Sequence, residues 1–375
     1  MQTTPDSDSK PYTPAVLNVK TIPGSDSEPP PPTLFDVKAA DFSPAAAREC
    51  LAERGFIVLR NCFSETDVDE VVRRTTKLFE RPAIAGATGY WKFDHPKKVL
   101  DPFVVGGPAV RMMLNETIIE ITEAFMDSEC ILAEVILKLD KGVGYPYFPL
   151  HTDFAVGWKK DASMDKGLTA EQLETPVGVC AAIYLRDTSE GAFAYCDGTH
   201  KFVAFDGPNI TDYDTEIRRQ LLARKVRCEG RKGDVVLFDD RGFHGPDQPS
   251  RTDRWVILLD YYRVNTFGRT QVTPFPVWTC DLGGLSEKQM RVLGVGADFM
   301  VSPQDVSKTR FKSNALYPVL AKIIDNAYLV DHMKQKIKRM LFIRPFPTRH
   351  GNRQRYRRAN RSQPSLRGAS TLNRT

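Results

Sequence analysis

His151, Thr152 and Asp153, followed 93 positions later by His244, supply two imidazoles and a carboxylate that one ion can gather. Neutral imidazole nitrogens with one ionised carboxylate suit non-haem Fe(II): they take one face of the ion and leave the opposite face open to incoming molecules. A divalent ion held this way keeps about one net positive charge, which favours an anionic chelator. With one residue between them, His151 and Asp153 project from the same side of an extended segment, because alternate strand residues share a face. His244 has to come from elsewhere. The run Gly233-Asp234-Val235-Val236-Leu237-Phe238-Asp239 reads as a strand entering a turn at Arg241-Gly242-Phe243, so the third ligand stands just past a strand end.

Arg254 heads Trp255-Val256-Ile257-Leu258-Leu259-Asp260-Tyr261-Tyr262, a β-branched and aromatic run that predicts a well-buried strand. A guanidinium turned into such a core needs an anion, since an unpaired buried charge is costly. Its planar fork suits the distal carboxylate of 2-oxoglutarate, whose other end can chelate iron. Arg251 competes for that role but sits in the polar turn Pro249-Ser250-Arg251-Thr252-Asp253. Two histidines and an aspartate with one water also suit hydrolytic zinc. Such a site has no use for an arginine on an inner strand, so Arg254 weighs toward the oxidative reading.

The elements that must position these groups are short strands. Strands are predicted at 55–60, 131–139, 178–185, 192–197, 234–239 and 254–262, with turn residues between them. Ser64 is a predicted N-cap for a helix to Glu80, on which Val68, Val71, Val72, Leu78 and Phe79 keep the spacing of one buried face. Many short strands around one ligand set predict a mainly β fold with flanking helices, a double-layer jelly roll.

Four segments in order resemble the phytanoyl-CoA dioxygenase family of Fe(II)/2-oxoglutarate-dependent oxygenases: Glu53 to Ser64, His151-Thr152-Asp153, Gly191 to Lys201, and Gly233 to Gly245. The resemblance covers roughly residues 50 to 263. It implies a cupin-like double-stranded β-helix with iron on His151, Asp153 and His244, and Arg254 pairing with 2-oxoglutarate. Lys138 falls where similar enzymes place a polar side chain facing the cosubstrate. O2 is the other cosubstrate, and succinate and CO2 are released. Related halogenases carry a small residue in place of the aspartate, so Asp153 implies hydroxylation of a C–H bond; desaturation and cyclisation stay open. His200, within the third segment, is expected to shape a turn. A barrel that binds a metal or small molecule without turnover is the alternative from another class, and the intact ligand set with Arg254 speaks against it.

The 375 residues carry a net charge of +5, and 41% are apolar, enough for one sizeable core with extensions. Residues 1–33, rich in Ser, Asp and Pro, are expected to be a disordered lead. The dioxygenase domain is expected over 34–270, a helical extension packed on the core over 271–345, and a disordered basic tail over 346–375. Apolar residues from Leu316 to Leu341 lie near helical spacing. From Lys334 onward there are thirteen Lys or Arg and no Asp or Glu, a pattern open to weak contact with a membrane surface or polyanion, with no dedicated nucleic-acid site. The polar stretch from Phe154 to Pro176, carrying Trp158, is read as a lid over a small-molecule substrate. Tyr90, Trp91, Phe148, Phe154 and Trp158 hint at an aromatic wall, and His95 at a loop. Seven cysteines without a C-x-x-C pair predict free thiols. With no apolar run near 18 residues and no signal-peptide pattern, a soluble cytoplasmic protein is expected.

Overall fold

The computed structural model describes residues 29–79, 97–99, 105–142, 149–156, 168–202, 207–247, 250–264 and 284–294. All fall in one of the chain's two compact units, Met1–Lys322; the other, Ile323–Thr375, lies outside the described residues. So do the amphipathic segment at 316–341, the basic tail, residues 1–28 of the lead, His95, and residues 157–167 of the expected lid. Of the expected aromatic wall, Tyr90, Trp91, Phe148 and Trp158 are likewise outside.

The elements run β1 (Leu34–Asp36), α1 (Pro44–Arg54), β2 (Phe56–Arg60), α2 (Glu65–Phe79), β3 (Lys97–Val99), α3 (Gly107–Met113), α4 (Glu116–Met126), β4 (Cys130–Asp140) and α5 (Ala170–Leu173). They continue with β5 (Gly178–Tyr184), β6 (Thr188–Cys196), α6 (Thr215–Ala223), β7 (Lys225–Gly230), β8 (Val235–Asp239), β9 (His244–Pro246), β10 (Arg254–Arg263) and α7 (Glu287–Val292). One sheet has seven strands in the order β1-β2-β8-β5-β10-β4-β3, and the other has three, β7-β6-β9. Every pairing is antiparallel except β1 with β2.

Period-two alternation decides what each strand shows to each layer. On β10, Trp255, Ile257, Leu259 and Tyr261 enter the core under the helices, beside Ala47 and Leu51 of α1, Val68 and Val71 of α2, and Ile118 and Ile121 of α4. Val256 and Leu258 turn to the other face, where Phe56, Val58, Ala182, Tyr184 and Phe238 meet Phe193, Tyr195, Val226 and Cys228 of the small sheet. This inter-sheet core makes the fold a two-layer jelly roll with helices on the outer face of the large sheet; the sheet is not closed. Each fully buried Ile or Leu side chain in these cores contributes roughly 1.5–3 kcal/mol.

Two tyrosines stitch the layers. The Tyr184 hydroxyl donates to the Cys228 carbonyl at 2.6 Å and accepts from the Phe193 N–H at 2.8 Å, and the Tyr195 hydroxyl donates to the Asp239 carbonyl at 2.9 Å. Ser64 caps α2 by accepting from the Asp67 N–H at 3.1 Å. Helix α1 ends at Gly55, whose φ of 85° lets the chain turn straight into β2; a Cβ there would collide with the Tyr195 hydroxyl and the His200 ring.

Pro30, Pro31 and Thr33, at the end of the expected lead, are held by Arg54. Its guanidinium donates to the Pro31 carbonyl at 2.7 Å, the Pro30 carbonyl at 2.8 Å and the Thr33 hydroxyl at 3.2 Å, and pairs with Asp197 at 2.6 Å. The six cysteines among the described residues are all free thiols. No helix among the described residues is long and apolar enough to cross a membrane.

Candidate active site

The segment carrying His151 and Asp153 extends the small sheet by backbone pairing. The His151 N–H donates to the His244 carbonyl at 2.8 Å, and the His244 N–H donates back to the His151 carbonyl at 2.7 Å. On the other side Thr152 N–H reaches Pro208 O at 2.8 Å and Ile210 N–H reaches Leu150 O at 2.8 Å, while Asp153 N–H donates to Asp240 O at 3.0 Å. Thr152, between the two ligands, is 1% exposed. Its hydroxyl lies 3.0 Å from the carbonyls of Phe154 and Arg241 and 3.2 Å from that of Asp240, and accepts from the Phe154 N–H.

This frame brings the three expected ligands together. Nε2 of His151 lies 3.8 Å from Oδ1 of Asp153, and Nε2 of His244 lies 3.7 Å from Oδ2. The ligand atoms of all three lie within 4.8 Å of one another. The two His–Asp separations exceed a hydrogen bond but are short enough for one ion to bridge. Both rings are oriented from behind: Nδ1 of His151 is 2.9 Å from the Pro149 carbonyl, and Nδ1 of His244 is 2.9 Å from the Gly242 carbonyl. A ring that donates from Nδ1 presents Nε2 with a free lone pair, the tautomer a metal requires.

Burial, with neighbouring His151 adding to it, pushes His244 down to about 4 against the pull of Asp153 and the Gly242 carbonyl, so this imidazole is neutral at ordinary pH. Phe238 packs on it, ring centroids 4.6 Å apart. The His244 side chain is 5% exposed, against 21% for Asp153 and 27% for His151, so the accessible side of the triad is the one bearing those two. The donor set therefore fits Fe(II): two pre-oriented imidazoles, one carboxylate and one open side.

Arg254 is buried on the inner face, as expected, but its anion is a residue of the protein. Asp140, its register partner on β4, takes Arg254 Nη2 at 2.6 Å and Nε at 3.2 Å with a single oxygen, Oδ2. The same oxygen is 3.3 Å from Lys138 Nζ. Burial favours the neutral form of Asp140, yet the charges of Lys138 and Arg254 outweigh it and hold the carboxyl below its ordinary value. The buried guanidinium thus has an anionic partner within the protein itself. What is left over is charge: two cations face one carboxylate, an excess of one positive.

The competing Arg251 has a side chain 87% exposed, beside Glu190. His200 occupies a short 3-10 turn, Thr199–Lys201, with Nε2 3.1 Å from the Ala52 carbonyl, and takes no part in the triad. Two groups at the site were not foreseen. Asp140 had a weak signal, an acid two residues after Lys138 and so on the same strand face. The second is Asp260, which with Cys180 and Asp153 forms a further cluster whose ligand atoms lie within 4.8 Å. The Cys180 thiol donates to Asp260 at 3.1 Å. Nothing in the spacing of the sequence places these two strands side by side.

Two facing sheets with a His-Asp-His cluster among them match the double-stranded β-helix architecture expected from the sequence. The model of the family described as phytanoyl-CoA dioxygenase (PhyH) matches residues 51–252, more than half of the chain, and the span includes Lys138 and all three triad residues. The chain belongs to that family and is an Fe(II)/2-oxoglutarate-dependent dioxygenase. No curated protein matches it in sequence. Among solved structures it is similar to EctD from S. alaskensis with 2-oxoglutarate and 5-hydroxyectoine: 17% identity, 67% of this chain and 88% of that one covered, TM-score 0.47. The apoform of that protein gives 16%, 66%, 87% and 0.49. HygX from Streptomyces hygroscopicus with nickel and 2-oxoglutarate gives 17%, 58%, 86% and 0.44.

Proposed function

We propose that His151, Asp153 and His244 hold the iron, and that Arg254 and Lys138 receive the distal carboxylate of 2-oxoglutarate, in an enzyme that hydroxylates a C–H bond of a small-molecule or lipid-like substrate. The observation that supports this most is the pair of Nδ1-to-carbonyl contacts that turns both Nε2 atoms toward the Asp153 carboxylate. When bound, Fe(II) supplies the redox chemistry by which O2 oxidises both 2-oxoglutarate, releasing succinate and CO2, and a C–H bond.

The chain's own part is placement. Asp153 and the two imidazoles would hold the ion, and Thr152 and the backbone pairing keep these three side chains in place. Lys138 and Arg254, with their excess positive charge, hold a dicarboxylate at one end of the inner face. Glu134, Ile136, Leu258 and Asp260 on that same face are half-buried, and over them a substrate can approach.

Anaerobic addition of 2-oxoglutarate to the Fe(II)-loaded protein is expected to give a visible charge-transfer band, lost in His151→Ala. Succinate release with Fe(II), ascorbate and a substrate panel is expected to disappear in the same variant. A band that persists without His151 would overturn the ligand assignment.

A further inference from the structure

Asp140 is an uncomfortable residue to find in a cosubstrate seat, because it places a negative charge where an anion is to bind. It is 2% exposed, directly opposite Arg254 in the β4–β10 register, and one of its oxygens collects three cationic nitrogens. Resting on the reading that Arg254 and Lys138 receive 2-oxoglutarate, we propose that Asp140 is a positioning residue: its carboxylate holds the Lys138 ammonium and the Arg254 guanidinium side by side, as a two-cation seat for the distal carboxylate.

The physical reason is that two like charges do not sit together unaided. Lys138 and Arg254 lie on adjacent strands, and a third cation, Lys98, is the register partner of Lys138 on β3. The charged groups facing Lys138 are therefore Arg254 and Lys98, which repel it, and Asp140, which attracts it. Burial pushes the ammonium down to about 8; Asp140 opposes that shift, and Arg254 and Lys98 add to it. With Asp140 in place Lys138 is charged at neutral pH. Without that carboxylate, desolvation and two neighbouring cations act unopposed, and the amine gives up its proton at lower pH.

Asp140 also fixes direction. It occupies the Nε and Nη2 edge of the guanidinium, leaving Nη1, whose contact is the Gly191 carbonyl at 3.4 Å, and the Lys138 ammonium as the donors able to turn to a ligand. One carboxylate thus orients two donors and keeps one of them ionised.

The test is calorimetric titration of 2-oxoglutarate into Mn(II)-loaded protein, which binds without turnover, between pH 6.5 and 9.5. Wild-type affinity is expected to hold up to about pH 8 and then to weaken by up to roughly tenfold per pH unit as Lys138 loses its proton. In Asp140→Asn the onset is expected to move down by at least about one pH unit. In Lys138→Arg, whose guanidinium does not titrate in this range, the alkaline loss is expected to vanish, and the Asp140→Asn substitution on that background is expected to leave the profile flat. An unmoved onset in Asp140→Asn, or an unchanged alkaline loss in Lys138→Arg, overturns the proposal; the second holds even if Asp140→Asn fails to fold. Arg254→Met separates this from the underlying reading. Affinity in that variant equal to wild type at every pH sinks the dicarboxylate seat itself, whereas lost affinity there with an unmoved Asp140→Asn onset sinks only the role of Asp140.

Discussion

His151 and His244 exchange both of their backbone hydrogen bonds, at 2.8 and 2.7 Å, so two ligands 93 positions apart are registered to each other by main chain alone. Their rings meet the Pro149 and Gly242 carbonyls at Nδ1, which leaves each Nε2 facing Asp153. His151→Ala is accordingly expected to weaken divalent metal binding by on the order of 100-fold or more, while the melting temperature of the metal-free protein shifts by only a few degrees. Mn(II) titration and circular-dichroism melts measure the two effects, and retained affinity would remove His151 from the ligand set.

Thr152, by contrast, holds the frame with its side chain. Replacing it with valine keeps the shape but deletes the hydroxyl that donates into the carbonyl cluster of Phe154, Asp240 and Arg241 and accepts from the Phe154 N–H. Thr152→Val is expected to cost about 1–3 kcal/mol of stability and to weaken metal binding as the ligands on either side lose registry. Denaturant unfolding with and without Mn(II) gives both numbers. An unchanged denaturation midpoint would mean that water replaces the hydroxyl.

A methyl group at position 242 tests the support behind His244. A Cβ on Gly242 would overlap the Tyr195 hydroxyl and ring and come 3.0 Å from the Thr199 hydroxyl, and the Gly242 carbonyl is the acceptor for His244 Nδ1. Gly242→Ala is expected to destabilise the protein by about 1–3 kcal/mol and to lower metal affinity together with it. Thermal shift and metal titration on the same preparation check the coupling; loss of stability with unaltered affinity would break it.

Arg54 carries the junction between the N-terminal residues and the core. Arg54→Met is expected to cost roughly 2–4 kcal/mol by stranding Asp197 and to release residues 29–33 to proteolysis. Limited digestion followed by mass spectrometry reads the second effect. Protection equal to wild type would show that the β1–β2 pairing suffices.

Alkaline pH is expected to unfold the protein. Burial pushes the Cys196 thiol up to about 12 from 9.0, and holds the Cys130 and Cys228 thiols and the Tyr184, Tyr195 and Tyr261 phenols above their ordinary values. A group whose folded value is raised contributes fully below its unfolded value and loses that contribution as pH climbs through the folded one. Stability should therefore fall from about pH 9 upward, by at most ~1.4 kcal/mol per pH unit for each group. Lys138, with a folded value of about 8 against 10.5, acts in the opposite sense over that window but is one group against seven, since burial also raises the Cys62 thiol. Calorimetric melts from pH 8 to 11 should show the decline, shallower in Cys196→Ala; identical slopes would exclude that thiol.

The sequence made the strands and the triad legible because both depend on local pattern. The continuous apolar and aromatic run from Trp255 to Tyr262 and the one-residue gap between His151 and Asp153 survive folding unchanged. The long strands were placed to within a few residues, while β1, β3 and β9, of three residues each, are too short to show alternation, and β7, although Lys225 to Gly230 alternates, was not identified. Asp140 and Asp260 were missed for a different reason: their partners, Arg254 and Cys180, come from neighbouring strands, and strand order is not written in any one segment. Nor can a residue's letter announce that its carbonyl, as at Pro149 and Gly242, is what aims a ring.

The seven-to-three inequality of the sheets decides where chemistry is allowed to meet the outside. Among the described residues the inner faces of β4 and β10 run on past the small sheet, and Glu134, Ile136, Lys138, Leu258 and Asp260 stay half-buried for want of a facing layer. On that floor Ile136 and Leu258 can be exchanged with little repacking, whereas the roofed half, where His244 lies under Phe193 and Phe238, has no such latitude.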